Sequence, residues 1–334
     1  MIITATPYRI SFFGGGTDYR AWYEQHGGAV LSTTINRYCY LQCRYLPPFF
    51  DHKHRIVWSR IETPNDSNEI EHPAVREAIN YLGISEGLEI HHFGDLPARA
   101  GLGSSSSFSV GLLHALHSLR GALVNKETLA RQAIHLEQAL IKEAVGVQDQ
   151  IAAAYGGLNL IKIQRNGLFD VQPIPLTEER LNALEARLLL VYTGISRSAS
   201  DIAKKQIAAV PKKTAVLSRM REIVDEGAAI LAKADALSDF GHLLHESWEL
   251  KREITPEITT SLVEEVYARS RAAGALGGKL LGAGGGGFML LFVEPEDREA
   301  VVDALEDLLV IPFRTERAGT RIVAYEPNGY AFDR

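Results

Sequence analysis

Across Pro97-Ala98-Arg99-Ala100-Gly101-Leu102-Gly103-Ser104-Ser105-Ser106-Ser107 the hydrophobic period of this 334-residue chain changes from strand-like alternation to helical spacing. Upstream, the segments Ile2–Thr6, Tyr8–Phe13, Ala29–Ile35, Tyr38–Leu46, Ile56–Arg60 and Leu88–Phe93 read as strands, and one helix, Ala74–Tyr81, interrupts them. Downstream, Phe108, Leu112, Leu116 and Leu119 form one apolar stripe and Leu129, Ala133, Leu136 and Leu140 another, so two helices follow. A glycine-bearing loop that opens a helix is suited to anions. The first helical turn offers unpaired N–H groups and the positive end of the dipole, glycines let oxygens approach the main chain, and serine hydroxyls add donors or a metal ligand. Serine is also a favoured N-cap, but a cap needs only one of the four. No Gly-Lys-Ser/Thr ending follows, so the run is not a Walker A loop.

A chain of this length has room for two domains sharing a cleft. A third helix, Gln148–Tyr155, leads through Gly156-Gly157 into a hairpin, Leu158–Gln164 and Phe169–Pro173, around the Asn166-Gly167 turn signal. The boundary is placed between Pro173 and Glu179, giving units 1–175 and 176–334. The second unit reads as a strand at Arg187–Tyr192, helices across Lys212–Ala273, strands at Ala275–Leu281 and Phe288–Val293, a helix at Pro295–Leu309, and strands at Ile311–Thr315 and Arg321–Tyr325. That is the split βαβ order of ferredoxin-like domains, and the chain as a whole is α+β.

With 35 basic and 41 acidic residues the formal charge is -6, so no global positive field gathers nucleic acid or acidic lipid. Any phosphate must be held locally. The two cysteines, Cys39 and Cys43, lie in an expected strand and are too few for a disulfide framework or a zinc site, which points to a reducing compartment and a cytoplasmic protein. Arg9 interrupts the apolar N-terminus where a signal peptide needs an unbroken core, and no run of 18 apolar residues occurs.

Three further segments carry possible chemistry. Lys279-Leu280-Leu281-Gly282-Ala283-Gly284-Gly285-Gly286-Gly287-Phe288 contains a GxGxxG match, but it leads into an apolar strand rather than a helix, so it is a strand-to-strand loop and not a dinucleotide fingerprint. Four consecutive glycines carry a large entropy cost unless something approaches that backbone closely, and a ligand is the expected reason. Arg9-Ile10-Ser11-Phe12-Phe13-Gly14-Gly15-Gly16-Thr17-Asp18 ends a strand in glycines and a carboxylate, where Asp18 either serves a site or caps a turn. In Gly146-Val147-Gln148-Asp149-Gln150, Asp149 either acts in chemistry or caps the next helix, and Glu137 before it either faces a site or lies on a solvated face.

Taken in this order, the segments closely resemble the three motifs of the galactokinase, homoserine kinase, mevalonate kinase and phosphomevalonate kinase (GHMP) superfamily. The resemblance implies an N-terminal α+β domain with a left-handed βαβ crossover like one in a ribosomal protein, and a ferredoxin-like C-terminal domain. It also implies that Pro97 and Gly101, Leu102, Gly103, Ser104, Ser105, Ser106 and Ser107 wrap the phosphates of ATP, with Ser105 and Glu137 as magnesium ligands. Asp149 would be the base and Arg9 the cation beside it, while Gly15, Gly16, Asp18, Gly284, Gly285 and Gly286 would meet the substrate. Gly15 and Gly16 stand where galactokinases have a glutamate and a histidine that contact galactose, which speaks against galactose. Motif by motif the chain most resembles the D-glycero-D-manno-heptose 7-phosphate kinases, which phosphorylate the anomeric hydroxyl. The implied partner is thus a small sugar phosphate, bound by a monomer or homodimer, and its existing phosphate needs a second cationic site for which Arg99, Arg197 and Lys279 are candidates. Two other readings stay open: a sugar 1-kinase for an unphosphorylated sugar such as fucose, and a catalytically silent nucleotide-binding regulator, against which the retained Asp149, Glu137 and serine run argue.

Overall fold

Two strands near the N-terminus organise the molecule. In the computed structural model, which describes residues 1–98, 100–194, 199–233 and 236–327, β1 (Ile2–Phe13) is buried along almost its whole length and pairs antiparallel with the 18-residue β2 (Gly28–Tyr45), the short helix α1 (Arg20–His26) lying between them in sequence. The sequence divides each of these strands in two, at Pro7 and at Asn36-Arg37. The structure instead carries them through with a register shift between Pro7 and Tyr8, because proline, which cannot donate to a ladder, is accommodated at a bulge.

The next strands are β3 (Arg55–Val57) and β4 (Ile61–Glu62), followed by α2 (Pro73–Leu82) and β5 (Leu88–Gly94). β3 and β5 run parallel, with α2 as the helix of the crossover. Then come α3 (Ser104–Leu119), α4 (Lys126–His135), α5 (Gln148–Tyr155) and the hairpin β6 (Leu158–Ile163) and β7 (Phe169–Pro173). Between α4 and α5 a π-helical turn, Leu136–Leu140, buries Glu137.

The second half adds α6 (Glu178–Ala186) and α7 (Ala199–Ala209), neither expected from the sequence, on either side of β8 (Leu188–Tyr192). The long expected helical stretch is three helices, α8 (Thr214–Ala232), α9 (Ser238–Ile254) and α10 (Ser261–Ala272), followed by β9 (Ala275–Leu280), β10 (Phe288–Val293), α11 (Arg298–Ala304), β11 (Leu309–Ile311), β12 (Thr315–Glu316) and β13 (Arg321–Tyr325). β8, β9, β10 and β11 form an antiparallel sheet in the order β11-β8-β10-β9, the ferredoxin-like order, with α9 and α10 packed on β9. The strand Arg321–Tyr325 does not join this sheet. It pairs with β1, and β12 pairs with β2, so the chain's last strands complete the nine-stranded first sheet among the described residues. Thr6, β1's neighbour to this return, shares a hydrogen bond with Thr320 across 2.9 Å.

Cys39 and Cys43 are free and buried, and burial pushes the Cys43 thiol up to about 12, so both are packing residues. No helix among the described residues is long and apolar enough to cross a membrane.

Candidate active site

The three glycine-bearing turns meet at one cavity of about 260 Å³, lined in part by Arg9, Asp18, Gly101, Ser105, Asp149 and Gly282. β1 delivers Arg9, which is buried, and the first turn of α5 delivers Asp149. Arg9 Nε donates to Asp149 Oδ1 at 2.7 Å and Nη2 to Oδ2 at 2.8 Å, a bidentate fork, while Nη1 donates to Gly101 O at 2.6 Å. One side chain therefore fixes the distance between the carboxylate and the loop at Gly101.

Asp18 sits beside this pair, 2% exposed, accepting from the Gly16 N–H at 2.9 Å and the Gln148 N–H at 3.4 Å. Burial raises its carboxyl, and the Asp149 charge adds to the rise. Gly146 closes over Asp18 so tightly that a Cβ there would come within 1.8 Å of Oδ2. Gly15 and Gly16 line the same wall.

At α3 the capping role of the serines disappears. The N-cap is Gly103, in the left-handed region at φ 73°, and no side chain caps the helix. A Cβ at Gly103 would lie 3.3 Å from Asp149 Oδ2, which places this turn directly against the carboxylate. Gly101, Gly103, Ser104 and Ser105 line the cavity. Leu102 points into the core, Pro97 is exposed, and Ser107 Oγ donates to Pro7 O at 2.9 Å as a tie to β1. Ser106 Oγ donates to Glu137 at 2.9 Å and Ser109, one turn on, also bears on this carboxyl, because both lie on the helix face turned toward the π-helical turn whereas Ser105 faces the opening. Gln150 Nε2 donates to the same Glu137 oxygen, and the other, Oε1, is buried without a hydrogen-bond partner among the described residues. Burial pushes this carboxyl up to about 7, so Glu137 is no solvated surface residue.

The third turn is closely approached, but by protein. A Cβ at Gly282 would meet Gly101 Cα at 2.4 Å, one at Gly287 would meet Ala100 O at 2.3 Å, and the Phe288 N–H donates to Ala100 O at 3.1 Å. Gly282 and Ala283 line the cavity. Gly284 and Gly285 are instead turned to the segment after α9: the Gly285 N–H donates to Ile258 O at 2.8 Å, and Ile258 O would lie 2.7 Å from a Cβ at Gly284. Neither these two nor Gly286 is among the residues that line the cavity.

Two buried lysines lie beside this turn, one bonded to β1 and the other to the turn itself. Lys279 Nζ donates to Phe12 O at 2.7 Å, and burial, with the Lys251 charge second, holds its ammonium well below the usual range. Lys251 of α9 donates to Leu280 O at 2.9 Å and Gly282 O at 2.6 Å, and burial brings it down to about 7, the Arg9 charge contributing. Gln206 Nε2 of α7 donates to Ala283 O, and Tyr19 Oη donates to Gln206 Oε1 at 3.2 Å. Lys251 escapes the motif reading, yet the sequence carries its signal: a lysine within the apolar stripe Phe240, Leu244, Trp248, Ile254 of an amphipathic helix. Arg99 and Arg197, expected at a second phosphate, lie outside the described residues.

The sequence matches two protein families, GHMP kinases N terminal domain over residues 70–157 and GHMP kinases C terminal over residues 228–310. It is 28% identical over 328 residues to the D-glycero-alpha-D-manno-heptose 7-phosphate kinase of Campylobacter jejuni, covering 91% of this chain and 93% of that protein. It is 31% identical over 259 residues to the mevalonate kinase of Pyrococcus horikoshii, covering 75% of this chain and 72% of that enzyme. A crystal structure of a D-glycero-D-manno-heptose 1-phosphate kinase from Bacteriodes thetaiotaomicron superposes with a TM-score of 0.78 over 97% of this chain and 99% of that one, at 24% identity, which shows a shared fold.

Proposed function

The chain belongs to the GHMP kinase family and has its two-domain fold, and from that premise we propose that it transfers the γ-phosphoryl group of ATP to the anomeric hydroxyl of a sugar phosphate, D-glycero-D-manno-heptose 7-phosphate, giving the 1,7-bisphosphate. The observation that carries this reading is the Arg9 fork, which holds Asp149 and the Gly101 carbonyl on one guanidinium at the rim where α3 begins.

In this scheme the turn Gly101–Ser105 and the N-terminus of α3 receive the ATP phosphates, since that helix start presents main-chain N–H groups and no side-chain cap. Asp149, kept in place by Arg9, accepts the proton of the acceptor hydroxyl as its oxygen bonds to phosphorus and ADP departs with the displaced bond's electrons. The Arg9 charge steadies the developing negative charge, and because its fork is already engaged with Asp149 no reorganisation is needed during the transfer. Magnesium fits the unpartnered Glu137 Oε1. Glu137 and the Ser106 hydroxyl would hold it, and when bound it neutralises phosphate charge; Ser105, expected as a ligand, faces the opening instead. Among the described residues no three His, Cys, Asp or Glu side chains gather into a metal cage, so its remaining ligands would be nucleotide oxygens and water.

The test is a coupled ADP-release panel of heptose 7-phosphate, fucose, galactose and mevalonate. Turnover is expected with heptose 7-phosphate. Turnover with a free sugar and none with heptose 7-phosphate would transfer the assignment to an unphosphorylated sugar 1-kinase, and nucleotide binding without turnover of any acceptor would leave only a regulator.

A further inference from the structure

Ser11 and Gln148 line the same cavity and have no part in the transfer just described. They are 5% and 9% exposed, and Ser11 Oγ and Gln148 Oε1 have no hydrogen-bond partner among the described residues. Buried polar atoms are normally satisfied, so two of them on residues that line one cavity need a partner that the protein does not supply. Both stand over Gly15: a Cβ built there would lie 3.7 Å from Gln148 Nε2 and 3.9 Å from Ser11 Oγ. Both are also neighbours of the reacting groups. Ser11 follows Arg9 by two residues on β1 and so shares its face, and Gln148 directly precedes Asp149 on α5. Asp18 completes the surround, its carboxylate bound to the Gln148 N–H.

The chemistry of this group selects its occupant. A serine hydroxyl both donates and accepts, a carboxamide offers both in one plane, and a buried carboxylate accepts. Arg9, Lys251 and Lys279 also line the cavity, but each is engaged with protein oxygens, so at this corner the neutral Ser11 hydroxyl and Gln148 carboxamide stand beside the Asp18 carboxylate, which disfavours an anion and suits a sugar hydroxyl, since each hydroxyl donates once and accepts as well. We propose that Ser11 and Gln148 are specificity-determining residues that bind a hydroxyl of the acceptor adjacent to the one phosphorylated, turning the reacting oxygen toward Asp149. The inference rests on the kinase reading of the site. Gly15 leaves the gap open, because any side chain there would begin in contact with both groups.

The experiment measures steady-state kinetics of the wild type, Ser11→Ala and Gln148→Met with the best acceptor of the panel and with its monodeoxy analogues. In the wild type one analogue, lacking the gripped hydroxyl, is expected to lose about ten- to a hundredfold in kcat/KM. The variants should lose a similar factor on the full acceptor, chiefly in its KM, keep the ATP KM within about twofold, and use that one analogue as well as the wild type does. Ser11→Thr, which keeps the hydroxyl, should restore most of the loss. If every variant keeps the wild-type preference for the full acceptor over each analogue, Ser11 and Gln148 do not bind it and the proposal is wrong. A wild type that turns over no acceptor removes the kinase reading itself, and this subsite with it, whereas normal turnover without coupling removes the subsite alone.

Discussion

Glu137→Gln separates the proton at the buried end of the site from the cation proposed to bind there. Glu137 is 1% exposed, and burial lifts its carboxyl from 4.5 to about 7. In the unfolded chain it titrates at its ordinary value, so between these two values the folded protein binds more protons than the unfolded one. The stability contributed by the protonated carboxyl is therefore complete below about pH 4.5 and is lost as the pH rises through about 7. The interval from 4.5 to about 7, at about 1.36 kcal/mol per pH unit, amounts to about 3 kcal/mol. Glutamine has the same shape, accepts from Ser106, and cannot ionise, so the variant lacks this loss. Urea unfolding at about pH 5 and about pH 7.5 should show the wild type falling by about 2 kcal/mol relative to Glu137→Gln across that range. A cation on Oε1 competes with the proton, so magnesium and ADP together should move the wild-type loss to lower pH and leave the variant unchanged. A difference between the two proteins that does not vary with pH would refute the argument from burial. An unmoved profile with magnesium and ADP would remove Glu137 from the metal site.

Asp149→Asn keeps the shape of the carboxylate but not its basicity, and turnover should fall by about a thousandfold or more while ADP affinity, read by nucleotide fluorescence titration, stays within about threefold. Gly282→Ala places a methyl 2.4 Å from Gly101 Cα at a residue with φ 70°, so thermal unfolding should reveal a loss of about 1–3 kcal/mol accompanied by weaker nucleotide binding. An unchanged melting temperature would show that the two turns do not touch. Lys251 is depressed to about 7, so the unfolded chain binds the extra proton between that value and 10.5. Its contribution to stability is present above about pH 10.5 and is lost as the pH falls through about 7. Over that window wild-type stability should rise relative to Lys251→Met, and parallel curves for the two proteins would show an ammonium that is not desolvated.

The parts of this protein legible in its sequence are those set by local pattern. The change of period at Ser104, the stripes of α3 and α4, and the hairpin around Asn166-Gly167 each depend on a few neighbouring residues, and each is found where expected. What the sequence hides depends on partners far along the chain. Pro7 and Asn36-Arg37 look like strand breaks until β12 and β13 return to the first sheet and the irregularities become bulges within it. The phase of the serine run is hidden as well. Ser105 and Ser106 are equivalent as letters, and the helix direction that sends Ser106 to Glu137 is fixed by the packing of α3 across β1 and β2. Lys251 shows the converse case, where a charge out of place in an apolar stripe was a readable clue to a buried role.

The glycines bear on how the site holds together. Their conformational cost suggests that a ligand comes close to the third turn, but at Gly282 and Gly287 what comes close is the backbone of Gly101 and Ala100. The second turn is in turn bound to β1 and α5, through the Arg9 N–H to Leu102 O at 3.0 Å and the Arg9 fork to Gly101 and Asp149. Lys251 and Gln206 secure the third turn from α9 and α7. A side chain at Gly282 or Gly287 therefore acts by pushing the third turn off the second, and since Arg9 ties the second turn to the proposed base Asp149, such a variant should impair phosphoryl transfer even when the nucleotide site is saturated by a higher concentration of ATP.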